Sequence, residues 1–171
     1  MNDEQYTLAQ LNQMEREEFT KALGEIWEET PEIAQKTWRD RPFANIEALY
    51  RAMVAVVETM SEAEQLELIQ AHPDLGSKTK MADASVQEQA GVGLDRLSPE
   101  EYRRFRSLNQ AYKNKFGFPF IIAVKNHTKK SILTAFENRL KNHKKLEKQQ
   151  TIKEISQIAK MRLETIINGN M

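Results

Sequence analysis

Residues 98–117 read Ser98-Pro99-Glu100-Glu101-Tyr102-Arg103-Arg104-Phe105-Arg106-Ser107-Leu108-Asn109-Gln110-Ala111-Tyr112-Lys113-Asn114-Lys115-Phe116-Gly117, and they are punctuated as one complete helix. Ser98 and Glu101 form a capping box, in which serine oxygen and glutamate each satisfy a backbone N–H that the first turn leaves without a partner. Pro99 takes the first helical position, where the N–H it lacks is one of those orphans. Tyr102, Phe105, Leu108, Tyr112 and Phe116 then recur at helical spacing along one side. Gly117 supplies the residue that can turn left-handed and end the helix.

The same period continues on both sides of this stretch. Phe19, Leu23, Ile26 and Trp27 stand at i, i+4, i+7 and i+8 and predict an amphipathic helix that Pro31 stops. After Arg41-Pro42-Phe43, one face is marked by Ile46, Leu49, Tyr50, Met53, Val56, Val57 and Met60. Ser61 and Glu64 make a second capping box, and a short helix is expected to about Ala71. Downstream, Ile132, Leu133, Phe136 and Leu140 mark one helix, and Ile152, Ile155, Ile158, Ala159, Leu163 and Ile166 mark a last one closed by Gly169. Only the apolar strip 118–124, from Phe118 to Val124 with Pro119 inside it, looks extended. The expected fold is all-α: a single-domain bundle of about seven to eight helices over residues 1–171, with that strip as its one extended segment.

Of the 171 residues, 40% are hydrophobic, enough for a packed core, and the 25 basic residues balance the 25 acidic ones. A chain with no net charge lacks the general attraction to phosphate backbones, so no nucleic-acid partner is expected. Acids cluster early, at Glu15, Glu17, Glu18, Glu25, Glu28 and Glu29, and lysines late, at Lys141, Lys144, Lys145 and Lys148; both sets read as solvated helix faces. There is no cysteine, hence no disulfide, thiol nucleophile or thiolate metal site. The longest apolar run falls far short of the ~20 residues that span a bilayer, and no leader or peroxisomal pattern is seen, so no membrane association and a cytoplasmic setting are expected.

Gly91-Val92-Gly93 begins like a dinucleotide fingerprint, but Arg96 stands where the third glycine belongs and no strand precedes it. Gly76-Ser77-Lys78-Thr79 lacks the order and the earlier glycine of a phosphate loop. The histidines His72, His127 and His143 fall on separate elements, so no metal is expected. His127, at a helix start, and His143, just past a helix end, read as capping or exposed groups.

Three positions invite chemistry. His72 follows a helix directly, and Pro73 biases it out of helical geometry, which presents an imidazole at the helix mouth; a polar loop residue is the plainer reading. Ser85 and Glu88, three apart in a helical stretch, share a face and could meet one ligand, or could simply be solvated. Arg162 points between Ile155 and Ile158, inside the apolar arc of the last helix. A buried cation there needs a carboxylate, a route to water or an anionic ligand, and periodicity cannot choose among them. Arg139, by contrast, is expected at the edge of its helix's apolar arc, within reach of solvent.

From near the N-terminus to the last helix, the chain resembles the OHCU decarboxylase family, whose substrate is 2-oxo-4-hydroxy-4-carboxy-5-ureidoimidazoline (OHCU). The resemblance is carried, in order, by Arg41-Pro42-Phe43, Ala71-His72-Pro73-Asp74-Leu75, Glu88-Gln89-Ala90-Gly91, Leu108-Asn109-Gln110-Ala111-Tyr112, Lys115-Phe116-Gly117-Phe118-Pro119-Phe120, Arg139-Leu140-Lys141-Asn142 and Arg162-Leu163. One departure lies in the loop 76–84, where many members carry a longer Leu-Thr-x-Glu-Ser pattern. The resemblance implies cofactor-independent decarboxylation of OHCU to (S)-allantoin in urate degradation. It makes His72 the acid/base residue supported by Glu88, and gives Arg162 an oxygen or the carboxylate of the substrate. Ser85 and Glu88 would bind the ureido side, Pro73 would wall the pocket, and the segment from Phe120 to Ile122 would offer backbone groups to the flat ring. A homodimer, and association or fusion with urate oxidase, are implied as well.

Two other readings compete. His72-Pro73-Asp74 is also the tripeptide of J-domains, chaperone partners that place a basic helix before it; Ser61 to Gln70 carries Glu62, Glu64 and Glu67 and no Lys or Arg. A non-catalytic helical adaptor docking through the lysines after Arg139 would leave an inward-facing Arg162 unexplained.

Overall fold

A computed structural model describes residues 5–77 and 83–167. Among them are nine α-helices: α1 (Leu8–Gln13), α2 (Arg16–Leu23), α3 (Glu32–Thr37), α4 (Ile46–Thr59), α5 (Glu62–Gln70), α6 (Asp83–Gly91), α7 (Pro99–Phe116), α8 (Lys129–Arg139) and α9 (Lys144–Ile166). The all-α expectation holds, with α1 and α3 as short helices that no long apolar period announces. Gly169, expected to close α9, and Lys78 and Thr79 lie outside the described residues.

The chain forms two compact units, residues up to 68 together with those from 156, and residues 69–155. In the first, α3 packs on α2 and α4, around Phe19, Leu23, Trp27, Ile33, Leu49 and Met53. The stretch before Pro31 departs from the expected helix. α2 ends at Leu23, the chain turns through 24–30, and Glu29 takes φ 46°. Pro31 stands at the start of α3 instead of ending a helix. Ile26 and Trp27 are buried all the same, so their spacing reported burial and not helix. Asn12 fastens the chain near Phe43 by accepting from the Phe43 N–H (2.8 Å) and donating to its carbonyl (3.0 Å). Arg41 donates to the carbonyls of Asn12 and Met14, each at 2.9 Å.

The second unit is built on α7, which begins and ends as its residues predict. Ser98 and Glu101 close both halves of the capping box, and Gly117 adopts φ 79°. Tyr112 sits in an aromatic cluster, its ring centroid 4.5 Å from that of Phe116 and 5.3 Å from that of Phe120, while Phe120 stacks on Phe136 at 3.8 Å. The strip 118–124 is buried along its length and joins no sheet. It runs into a one-turn 3-10 helix, Val124–Asn126, against which α6 packs.

Candidate active site

His72 leaves the end of α5 with its N–H bonded to the Ile69 carbonyl at 3.2 Å, and its side chain is buried. The loop after it is held from two helices. Gln89, buried on α6, accepts the Gly76 N–H at 3.0 Å, and Asn109, buried on α7, donates to the Leu75 carbonyl at 2.9 Å. Gly76 takes φ 69°, a left-handed conformation that strains any other residue, and a Cβ there would also push on Leu97 Cδ1 at 2.7 Å. Lys113 pairs with Asp74 at 2.7 Å. A cleft of about 620 Å³ opens beside this loop, lined among others by Asp74, Gly76, Tyr102, Arg106 and Asn109.

Ser85 is buried on α6 and Glu88 partly so. The helix that carries them is thus tied to the His72 loop through Gln89 and packs on the turn that follows Phe120 and Ile122, both buried. His72, Pro73, Ser85, Glu88, Phe120 and Ile122 all belong to the second unit.

Arg162 belongs to the first. It is buried, as its place on α9 predicts, and its Nη2 donates to Glu28 Oε2 at 3.0 Å, with side-chain exposures of 7% and 1%. Its Nη1 reaches the carbonyls of Glu25 and Ile26 at 3.3 and 3.4 Å. Of the three ways to satisfy a buried guanidinium, a carboxylate is therefore in use. Glu28 accordingly leaves the set of solvated acids: the irregular backbone after α2 carries it inward.

Arg139 requires a correction. It is buried, not solvent-reaching, and pairs with Glu147, which has no exposed surface. Its Nη1 donates to the Ile121 carbonyl at 2.5 Å and its Nη2 to Thr151 Oγ1 at 3.2 Å, and its guanidinium lies 4.4 Å from the Phe120 ring centroid. The Tyr112 hydroxyl donates to Glu147 Oε1 at 2.6 Å, and Asn142 donates to Oε2 at 3.0 Å. Burial first, then donation to Glu147, holds the Tyr112 pKa far above the ordinary tyrosine value. A signal existed: Arg139 follows Ile132 by seven residues and Phe136 by three, on the apolar face itself. Asn109 likewise stands four after Phe105. The helix period marks both as inward, but it cannot name their partners.

Several short segments thus acquire structural tasks in the second unit: Gln89 and Asn109 hold the His72 loop, while Tyr112, Arg139 and Asn142 meet at Glu147. The OHCU decarboxylase family model matches residues 12–164. A 2-oxo-4-hydroxy-4-carboxy-5-ureidoimidazoline decarboxylase of Halalkalicoccus jeotgali is 45% identical over 160 residues, covering 94% of this chain and 91% of that protein. The uric acid degradation bifunctional protein PucL of Bacillus subtilis is 43% identical over 162 residues, 95% of this chain and 33% of that one. Among solved structures, an (S)-allantoin synthase superposes with a TM-score of 0.78 at 32% identity, covering 95% of this chain and 54% of that one. These matches lend nothing to the J-domain reading. Matched across most of its length by the family model and by relatives above 40% identity, the chain belongs to the OHCU decarboxylase family.

Proposed function

We propose that the chain catalyses the decarboxylation of OHCU to (S)-allantoin, within urate degradation, with His72 as its acid/base group. The observation that carries this reading is the buried imidazole on a loop pinned by Gln89 and Asn109, in one compact unit with Ser85, Glu88 and the 120–122 strip. Histidine is the side chain type whose unperturbed proton affinity lies nearest neutrality, which suits it to accept and return a proton.

In the substrate, the carbon bearing hydroxyl and carboxylate adjoins an imine. When the carbon–carboxylate bond breaks, its electron pair flows into that C=N bond, so the step needs no separate electron sink. His72 takes the hydroxyl proton as the new carbonyl forms, and delivery of a proton to one face of the neighbouring carbon sets the (S) configuration. Glu88 fixes the imidazole tautomer and favours its charged form, Ser85 with Glu88 receives the ureido group, and Pro73 walls the pocket. Arg162 takes the role of anion binder only in competition with Glu28, which already offsets its charge.

The chain passes from one unit to the other inside α5 and inside α9, with no linker, which supports one catalytic domain. We further propose a homodimer in the cytoplasm, acting next to urate oxidase; kinship with a bifunctional protein of uric acid degradation supports association with a second activity of that degradation. No helix among the described residues is long and apolar enough to cross a membrane.

The test generates OHCU from urate with urate oxidase and hydroxyisourate hydrolase and follows allantoin by circular dichroism. The wild-type chain accelerates formation of the pure (S) product. His72→Asn lowers the rate by about 10²–10⁴-fold with helical content kept; an unchanged rate and optical purity remove His72 from the mechanism.

A further inference from the structure

The irregular strip 118–124 must place its backbone polar groups without a sheet, and a buried group left without a partner is costly. Two side chains meet part of that need. Arg139 Nη1 donates to the Ile121 carbonyl at 2.5 Å, and Glu154 Oε1 accepts the Ala123 N–H at 3.2 Å; both side chains are buried. Among the described residues, no hydrogen bond falls on the backbone of Ile122 between them, although Ile122 is itself buried.

Planar peptide geometry gives these two ties a consequence. In a trans peptide the C=O and the N–H point in opposite directions, and the only cis bond is Arg41–Pro42 among the described residues. The Ile121 carbonyl and the Ile122 N–H belong to one peptide, so a grip on the first by Arg139 aims the second away from Arg139. The Ile122 carbonyl and the Ala123 N–H belong to the next, so Glu154 aims the Ile122 carbonyl away from itself. One buried residue therefore holds an unpartnered donor and an unpartnered acceptor, each steered by a charged side chain on the other end of its peptide.

A neutral donor such as Asn could satisfy one carbonyl. A guanidinium instead brings a desolvation cost that needs Glu147 to offset it. Its fork reaches the Ile121 carbonyl, Glu147 and Thr151 at once, and its plane lies by the Phe120 ring, so both residues before Ile122 are restrained. Glu147 is fixed in turn by Tyr112 and Asn142.

We propose that Arg139 and Glu154 are positioning residues for the decarboxylation, orienting the Ile122 N–H and carbonyl so that together they bind an amide edge of the substrate's ring. The inference rests on the decarboxylase reading above. It needs no contact between Arg139 or Glu154 and the substrate.

The test uses the full chain as Arg139→Lys, which keeps a cation for Glu147 but loses the fork, and as Glu154→Ala, which releases the Ala123 N–H and leaves the Arg139–Glu147 pair intact. KM and kcat are measured with OHCU, (S)-allantoin affinity by calorimetry, and the Ile122 amide by NMR titration with (S)-allantoin. In the wild type the Ile122 amide resonance shifts on binding; in a folded variant that shift shrinks and KM and the product dissociation constant rise about tenfold, with a smaller change in kcat. Lowered melting temperature with KM, product affinity and the Ile122 shift unchanged in both folded variants overturns the proposal. So does a wild-type chain that turns over OHCU while its Ile122 amide ignores (S)-allantoin. A wild-type chain that neither turns over OHCU nor binds (S)-allantoin instead overturns the decarboxylase reading, and the positioning role with it.

Discussion

Among the described residues, the buried Arg162, Glu28, Arg139 and Glu147 stand in pairs, and the partner changes what a substitution means. Arg162 meets Glu28 where both are almost wholly withdrawn from water. Removing one member of such a pair leaves the other buried and uncompensated, which costs about 3–5 kcal/mol. Arg162→Ala is therefore expected to lower the unfolding free energy by that amount in urea denaturation. Its effect on (S)-allantoin affinity becomes interpretable only beside Glu28→Ala. In the double variant the loss is expected to be smaller than the sum of the two single losses; strict additivity would mean that the pair is not coupled. The same logic governs Arg139, expected at the solvent edge of its helix and found buried against Glu147.

The helix boundaries follow local chemistry where caps are present and depart from it where only apolar spacing was available. α7 keeps its capping box and its left-handed glycine, and Ser98→Ala is expected to cost about 1 kcal/mol of stability. Glu101 accepts the Ser98 N–H at 2.9 Å and pairs with Lys129 at 3.2 Å. The Ser98 bond first, then Lys129, lowers its pKa below the ordinary glutamate value. A carboxyl whose pKa is lowered by folding stabilises the protein above its unfolded value and loses that contribution as pH falls through the folded one. Wild type and Glu101→Gln should thus differ in thermal stability at neutral pH and converge below about pH 4; a difference that persists in acid would assign the effect to packing. α2, by contrast, ends at Leu23 against Gly24, a stop that apolar spacing alone reads past, because Ile26 and Trp27 mimic the helix period from within a turn. Pro31 admits two readings, since its fixed φ suits the first turn of a helix as well as the end of one.

One family model spans residues 12–164, across both compact units, and relatives bring the reaction class with it. The proposed homodimer predicts a sedimentation-equilibrium mass of twice the 19.8 kDa chain; a single-chain mass at assay concentrations would refute it. The amino-acid order alone was enough for the all-α class, for the start and end of α7, for the inward direction of Arg162 and for kinship through seven short segments. These are properties of neighbouring residues: a cap needs three positions, a helix face eleven or so, and a motif carries its own spacing. Only the tertiary structure decided that Glu28, 134 residues from Arg162 in the chain, is its counter-ion, and that Arg139 and Glu154 hold the strip around Ile122. The physical reason is that a buried charge or backbone group must find its partner in space, and a single helix's period specifies a direction without saying what lies there.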